Sequence, residues 1–229
     1  MTSSHTRKLT GILLLAIPIV ACSSAAQESA QTTVSPAARA AGDSAAAARA
    51  HADSIRHPYT QADVDFMSHM IGHHAQAIAM ARWAPTHGAS PSVRVLADRI
   101  INAQQDEILT MQTWLRDRHE PVPEANPAGM KMMMGGMEHM MLMPGMLTEE
   151  QMRQLDQARG PEFDRLFLTF MMQHHRGAVS MVKQLFDTYG AGQDETVFKF
   201  ASDVNVDQTT EIARMDKMLI ALTLGVETP

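Results

Sequence analysis

Two short runs set imidazole beside thioether at helical spacing. The first holds Met70, His73, His74 and Met80; the second holds Met171, His174, His175 and Met181. Met70 and His74 are four residues apart, as are Met171 and His175, so on a helix each pair can share a ligand across one turn. His69 and His73 have the same spacing, but the second run carries Phe170 where His69 would be. Soft thioethers and imidazoles together favour Cu(I), and imidazole also accepts Cu(II), zinc or nickel. A thioether needs no deprotonation, so it still functions where thiols oxidise. More donors lie between the two runs. Residues 129–146 read GMKMMMGGMEHMMLMPGM and contain Met130, Met132, Met133, Met134, Met137, His139, Met140, Met141, Met143 and Met146. Four glycines and no surviving periodicity predict a loop with no core to fill. Its thioethers would then be an oxidation liability unless they bind something.

The elements that must position these residues read as helices. Thr60 followed by Asp63 predicts a cap for a helix to about Trp83. Ser90-Pro91 predicts an N-cap with proline in the first turn, opening a helix to about His119. A short helix over 148–158 precedes a third long one that opens at Gly160-Pro161 and ends before Gly190. A fourth runs from about Asp194 to Leu224. The helices form an internal repeat. Phe66, Met70, His73, His74, Ala77 and Met80 recur 101 residues later as Phe167, Met171, His174, His175, Ala178 and Met181. In the next helix of each half, Gln104, Glu107, Ile108, Met111 and Leu115 recur 104 residues later as Gln208, Glu211, Ile212, Met215 and Leu219. Duplicated helix pairs predict an all-α four-helix bundle with pseudo-twofold symmetry, repeat one over 60–119 and repeat two over 160–224.

At about 100° per residue, Phe66, Met70, His73, Ala77 and Met80 fall within about 80° of one another. Leu96, Ile100, Glu107, Met111 and Trp114 likewise share a face. Each repeat therefore aims histidine, methionine and a carboxylate inward. A buried histidine or glutamate is costly unless hydrogen-bonded, paired or bound to metal. Two readings stay open: Glu107 and Glu211 satisfy the histidines in a structural polar core, or the layer holds an ion. Methionines on helix faces also serve as core filling.

The N-terminus carries Arg7 and Lys8, then an apolar run from Leu9 to Val20, then Ile-Val-Ala-Cys at 19–22. The run is too short to span a bilayer and has the flanks of a secretory signal. Its ending resembles a bacterial lipobox. That predicts a signal peptide over 1–21 and an exported chain in the cell envelope or periplasm, lipid-anchored to a membrane through Cys22, the single cysteine. Loss of 1–21 removes two bases and no acids and takes the formal charge from −6 to −8. An acidic chain with no basic stripe is a poor partner for nucleic acid. Residues 22–57, rich in Ala, Ser, Gln and Thr, read as a flexible tether, and the folded domain as 58–229.

FMSHMIGHHAQAIAMA and FLTFMMQHHRGAVSMV, each followed by a helix with Q-x-x-E-I-x-x-M, resemble the duplicated signature of the domain-of-unknown-function 305 family. The resemblance spans about residues 58–224. It implies a ferritin-like four-helix bundle, and some members are periplasmic copper-binding proteins implicated in copper resistance. By resemblance, Met70, His73, His74, Gln104 and Glu107 hold motif positions in the first half, and Met171, His174, His175, Gln208 and Glu211 in the second. The expectation is a non-catalytic protein that sequesters copper ions or passes them to a copper-handling partner. One alternative is an envelope interaction module that docks a partner on its methionines. The other is a ferritin-like dimetal oxidase using His73, His174, Glu107 and Glu211. That oxidase lacks the E-x-x-H pairs such a cage uses.

Overall fold

A computed structural model describes residues 58–226 and short helical pieces between 41 and 49. The side chains of residues 131–134, 138 and 139 lie outside the description, as do the leader and Cys22. Helix α1, Gln61–Ala81, opens on Thr60, whose hydroxyl accepts from the Asp63 N–H while the Asp63 carboxylate accepts from the Thr60 N–H at 2.7 Å. The other oxygen of Asp63 accepts from the Gly192 N–H at 2.7 Å and ties this end of α1 to a distant turn. Helix α2, Pro91–Asp117, is capped by Ser90. Helix α3 spans Glu149–Gln157 behind the cap of Thr148. Gly160, at φ 59°, precedes α4, Pro161–Asp187. Asp194 caps α5, Glu195–Leu224, by accepting from the Thr196 and Val197 N–H groups. The helix starts and the repeat fall where the sequence reading put them.

The four long helices form an all-α bundle. α1 packs on α2, α4 packs on α5, and α1 meets α4 across the pseudo-twofold axis. Apolar side chains collect in two clusters. One joins the N-terminal part of α1 (Phe66, Met70) to the C-terminal parts of α2 and α4 (Met111, Met181) and to Phe200 and Val204. The other joins Ala77 and Met80 to Leu96, Phe163, Phe167, Met171 and Met215. The membership shows that neighbouring helices run antiparallel. His73, His74, Gln104, His174, His175 and Gln208 form a buried polar layer between the clusters.

The segment between the halves corrects the expectation of a loop. Met130–Met134 (β1) and Met137–Met141 (β2) pair antiparallel in register Met130↔Met141, Met132↔His139 and Met134↔Met137. Gly135 and Gly136 join them at φ 61° and 82°, the positive angles a tight hairpin turn demands. Because opposed residues share a face, the register sets Met130, Met132, Met134, Met137, His139 and Met141 on one face of the ribbon. Lys131, Met133, Glu138 and Met140 lie on the other.

Residues 126–147, which contain this hairpin, strap the bundle on one side. Gln76 donates to the carbonyls of Pro127 (3.1 Å) and Leu147 (3.0 Å) and accepts from the Leu147 N–H at 2.6 Å. Gln173 donates to the Gly145 carbonyl at 3.3 Å. The Pro144-Gly145 turn presses on Gly177 so closely that a Cβ there would meet the Pro144 oxygen at 1.9 Å. On α1 the strap passes Gly72 with more room, at 3.4 Å from Asn126 O to a would-be Cβ. Positions 72 and 173 are equivalent in the repeat, as are 76 and 177. Glycine and glutamine therefore exchange places between the halves, one giving passage and the other an anchor.

Candidate metal centre

The polar layer places its first histidines ring against ring. His73 and His174 have centroids 3.8 Å apart, and both are fully buried. The close approach follows from α1 and α4 being the pair in contact between halves. His73 Nε2 donates to the Pro144 carbonyl at 2.9 Å, which fixes the tautomer and leaves Nδ1 with its lone pair and no partner. His174 has no partner at either nitrogen. Burial pushes the His73 imidazole down to about 3, aided by the charge His74 could carry. His174 is driven well below the usual range, first by burial and then by the neighbouring histidines. Both rings are therefore neutral near pH 7.

The second histidines turn outward to the glutamates. His175 Nε2 donates to Glu211 Oε2 at 2.7 Å. His74 Nε2 lies 2.6 Å from Glu107 Oε2, an ion-pair distance, but off the angle of an N–H hydrogen bond. The glutamates are at the rim rather than in the core, 19% and 17% exposed. They line a cleft of about 170 Å³ between α2 and α5 with Gln104, Asp207 and Gln208, and Arg99 stands at its edge. The Asp207 carboxyl is raised, first by burial and then by Glu107, Asp203 and Glu211. Gln208 is buried with neither amide atom partnered, and the Gln104 oxygen is likewise alone. Each unpaired buried polar atom costs about 1–3 kcal/mol, so the layer is held in place against a penalty. Among the described residues, no three His, Cys, Asp or Glu side chains are gathered closely enough to hold one ion. The layer pairs carboxylates with imidazoles; it is not a carboxylate cage.

The thioethers divide by environment. Met70, Met80, Met111 and Met171 are fully buried in apolar clusters, and Met181 nearly so. Burying each side chain stabilises the fold by roughly 1.5–3 kcal/mol whether or not it ever meets a metal. Met143 and Met146 also lie in the core, with the Met143 N–H 3.3 Å from the Met146 sulfur. They were expected among the solvent-facing donors of a loop, and this is a second correction. Met130 and Met141 are half-buried against the same cluster. Met137 and Met140 face solvent, at 65% and 42% exposed. The side chains of Met132, Met133, Met134 and His139 lie outside the described residues.

Sequence reasoning noted the spacing of His69 to His73 but left His69, half-buried beside the strap, out of the candidate site because the repeat does not preserve it. It also passed over a satisfied histidine, His87, whose nitrogens meet Thr86 Oγ1 and the Asp156 carbonyl at 2.9 Å each. The network around Asp194 was equally hidden. Its carboxylate accepts from Trp114 Nε1 at 3.0 Å and pairs with Arg118 at 2.5 Å, and Arg118 lies over the Trp114 ring.

Residues 63–219 match the family model described as Domain of unknown function (DUF305). Among solved structures, a DUF305 fragment from Deinococcus radiodurans superposes with a TM-score of 0.57 at 27% identity, over 71% of this chain and 97% of the other. A DUF305 protein from Streptomyces coelicolor gives 0.58 and 27%, over 73% and 95%. CopM in its Cu(I)-bound form gives 0.51 and 28%, over 68% and 94%. An uncharacterised protein of Acanthamoeba polyphaga mimivirus is 39% identical over 62 residues, 26% of this chain. The chain spans 41% of the length of that curated relative.

Proposed function

This chain belongs to the DUF305 family, and from that premise we propose that it is an exported, lipid-anchored cell-envelope protein that binds Cu(I), without turnover, to sequester it or hand it to a copper-handling partner. The observation that carries the reading is the hairpin. Its register sets methionines and one histidine on a single face of the ribbon, from Met141 and Met130, half-buried against the bundle, to Met137, exposed at the turn. Opposed residues on such a ribbon have Cβ atoms about 4.5–5.5 Å apart, close enough for two or three sulfurs to converge on one ion. Met132, Met134, Met137, His139 and Met141 supply the donors, a set suited to a soft monovalent ion. Likeness to CopM, solved with Cu(I), Cu(II) and Ag, supports the same chemistry. The neutral nitrogens of His73 and His174 are the bundle's own candidates for a second ion, with the Glu107–Glu211 cleft as its approach.

Anaerobic Cu(I) titration of the full chain against a colorimetric chelator tests this. Deleting the whole segment would be a poor control, because Met143, Met146 and the Pro144 carbonyl belong to the core. Replacing Met132, Met134, Met137 and Met141 with Leu leaves those contacts in place. The variant is expected to lose most of the copper that the unsubstituted chain withholds from the chelator. A full chain that withholds none would end the copper reading.

A further inference from the structure

His69 and Met143 stand together at the wall between two cavities beneath the strap. One, of about 390 Å³, is also lined by Met130, Gly72 and Glu124; the other, of about 180 Å³, is also lined by Met181 and Asp65. His69 is half-buried, and no hydrogen bond joins its ring to another described residue. Burial lowers its pKa, and the carboxylate of Asp65, one turn back on α1, acts in the opposite direction. An ordinary surface histidine explains this poorly, since His69 lines both cavities together with thioethers. Symmetry sharpens the point. The equivalent position in the second half is Phe170, which is buried in the apolar cluster. At this position a histidine is present in the half that lines a cavity with Met130 and Met143.

We propose that His69, Met143 and Met130, which line one cavity together, form a site for a soft monovalent cation, Cu(I) or Ag(I), beneath the hairpin. One imidazole and two thioethers make a neutral donor set that such d¹⁰ ions accept and that hard cations do not. Met181 lines the neighbouring cavity, on the far side of His69 and Met143. Met130 is also the first residue of β1, on the Met/His face of the ribbon, so the site lies at the bundle end of that face. This assignment rests on the copper reading and adds to it a particular place where an ion is retained.

The test uses the full chain and its His69→Phe variant, a substitution the fold already accommodates at Phe170. Anaerobic Cu(I) titration against the chelator is expected to show one ion fewer per chain in His69→Phe, and the same loss in Met143→Leu, which conserves volume. In parallel, nitrogen-15 spectra of the full chain with Ag(I) are expected to move the His69 ring resonances and quench their pH titration. If the full chain binds Cu(I) and His69→Phe binds as many ions, with His69 unmoved by Ag(I), the site is refuted while the copper reading stands. If the full chain binds neither ion, both fall together. Matching circular dichroism spectra for the variants ensure that a lost ion is not a lost fold.

Discussion

Gly177→Ala and Gly72→Ala make the same chemical change on two equivalent helices, and the structure gives them opposite signs. In an exposed helix interior, alanine in place of glycine gains about 1 kcal/mol. At position 72 the new Cβ meets Asn126 O at 3.4 Å, an ordinary contact, so Gly72→Ala keeps most of that gain. At position 177 the Cβ would stand 1.9 Å from the Pro144 oxygen and 2.6 Å from the Gly145 Cα. The carbonyl must retreat by roughly 1.5 Å to reach van der Waals separation. Its 2.9 Å bond from His73 then breaks. Overpacking costs about 1–3 kcal/mol. A buried His73 N–H without an acceptor adds about 1–3 kcal/mol. After the propensity gain, Gly177→Ala is expected to be net destabilising by about 1–5 kcal/mol, which sums those ranges. Urea unfolding of the two variants, followed by far-UV circular dichroism, reads the difference directly. A Gly177→Ala protein as stable as the unsubstituted chain would refute the claim that the strap is seated on α4. So would equal damage at both positions.

Acid should unfold this protein through its inner histidines. His73, held down to about 3, and His174, held well below its usual range, stay neutral in the fold while the unfolded chain protonates them below about pH 6.5. The stability His73 permits is therefore full above pH 6.5 and falls by about 1.4 kcal/mol per pH unit on acidification toward pH 4, and His174 adds a loss of the same sign. Urea midpoints at pH 7.5, 6 and 5 measure this, and a flat profile would contradict it. Asp194→Ala removes the partner of buried Arg118 and the Trp114 N–H together with a helix cap; a loss of about 3–5 kcal/mol is expected in the same unfolding assay, and under 1 kcal/mol would be evidence against the network. Cys22→Ala should abolish fatty-acid labelling and move the chain from the membrane to the soluble fraction of expressing cells, whereas unchanged membrane association would remove the lipid anchor from the proposal.

The helices were legible because their start signals are local. Thr60-x-x-Asp63, Ser90-Pro91 and Gly160-Pro161 each settle a few backbone groups within one turn. The duplicated His-His motif was legible because the core stripe recurs at a fixed offset. The hairpin was not. Met132, Met133 and Met134 run on without alternation, so the period of two that marks a strand is absent even though the Gly135-Gly136 turn signal is present. Nor was the strap's seating legible. Gly72 against Gln173, and Gln76 against Gly177, look in the sequence like imperfections of the repeat. They gain meaning only when a segment from elsewhere in the chain lies over all four. The Asp194 network joins residues 76 and 80 positions apart, beyond the reach of any local pattern.

The exchange of glycine and glutamine bears on how a molecule of this shape can arise. The strap crosses the pseudo-twofold axis, touching α1 and α4 at the level where His73 and His174 meet. Two identical half-length subunits, paired about a true twofold axis, would each bring a copy of any such strap to the same place. The copies would exclude one another, so a symmetric ancestor could carry none that lay across its axis. Fusion of the two halves into one chain lifts that restriction, because the join is made once. Only afterwards can one half open a passage where the other sets an anchor, and from that point neither half can stand in for its twin.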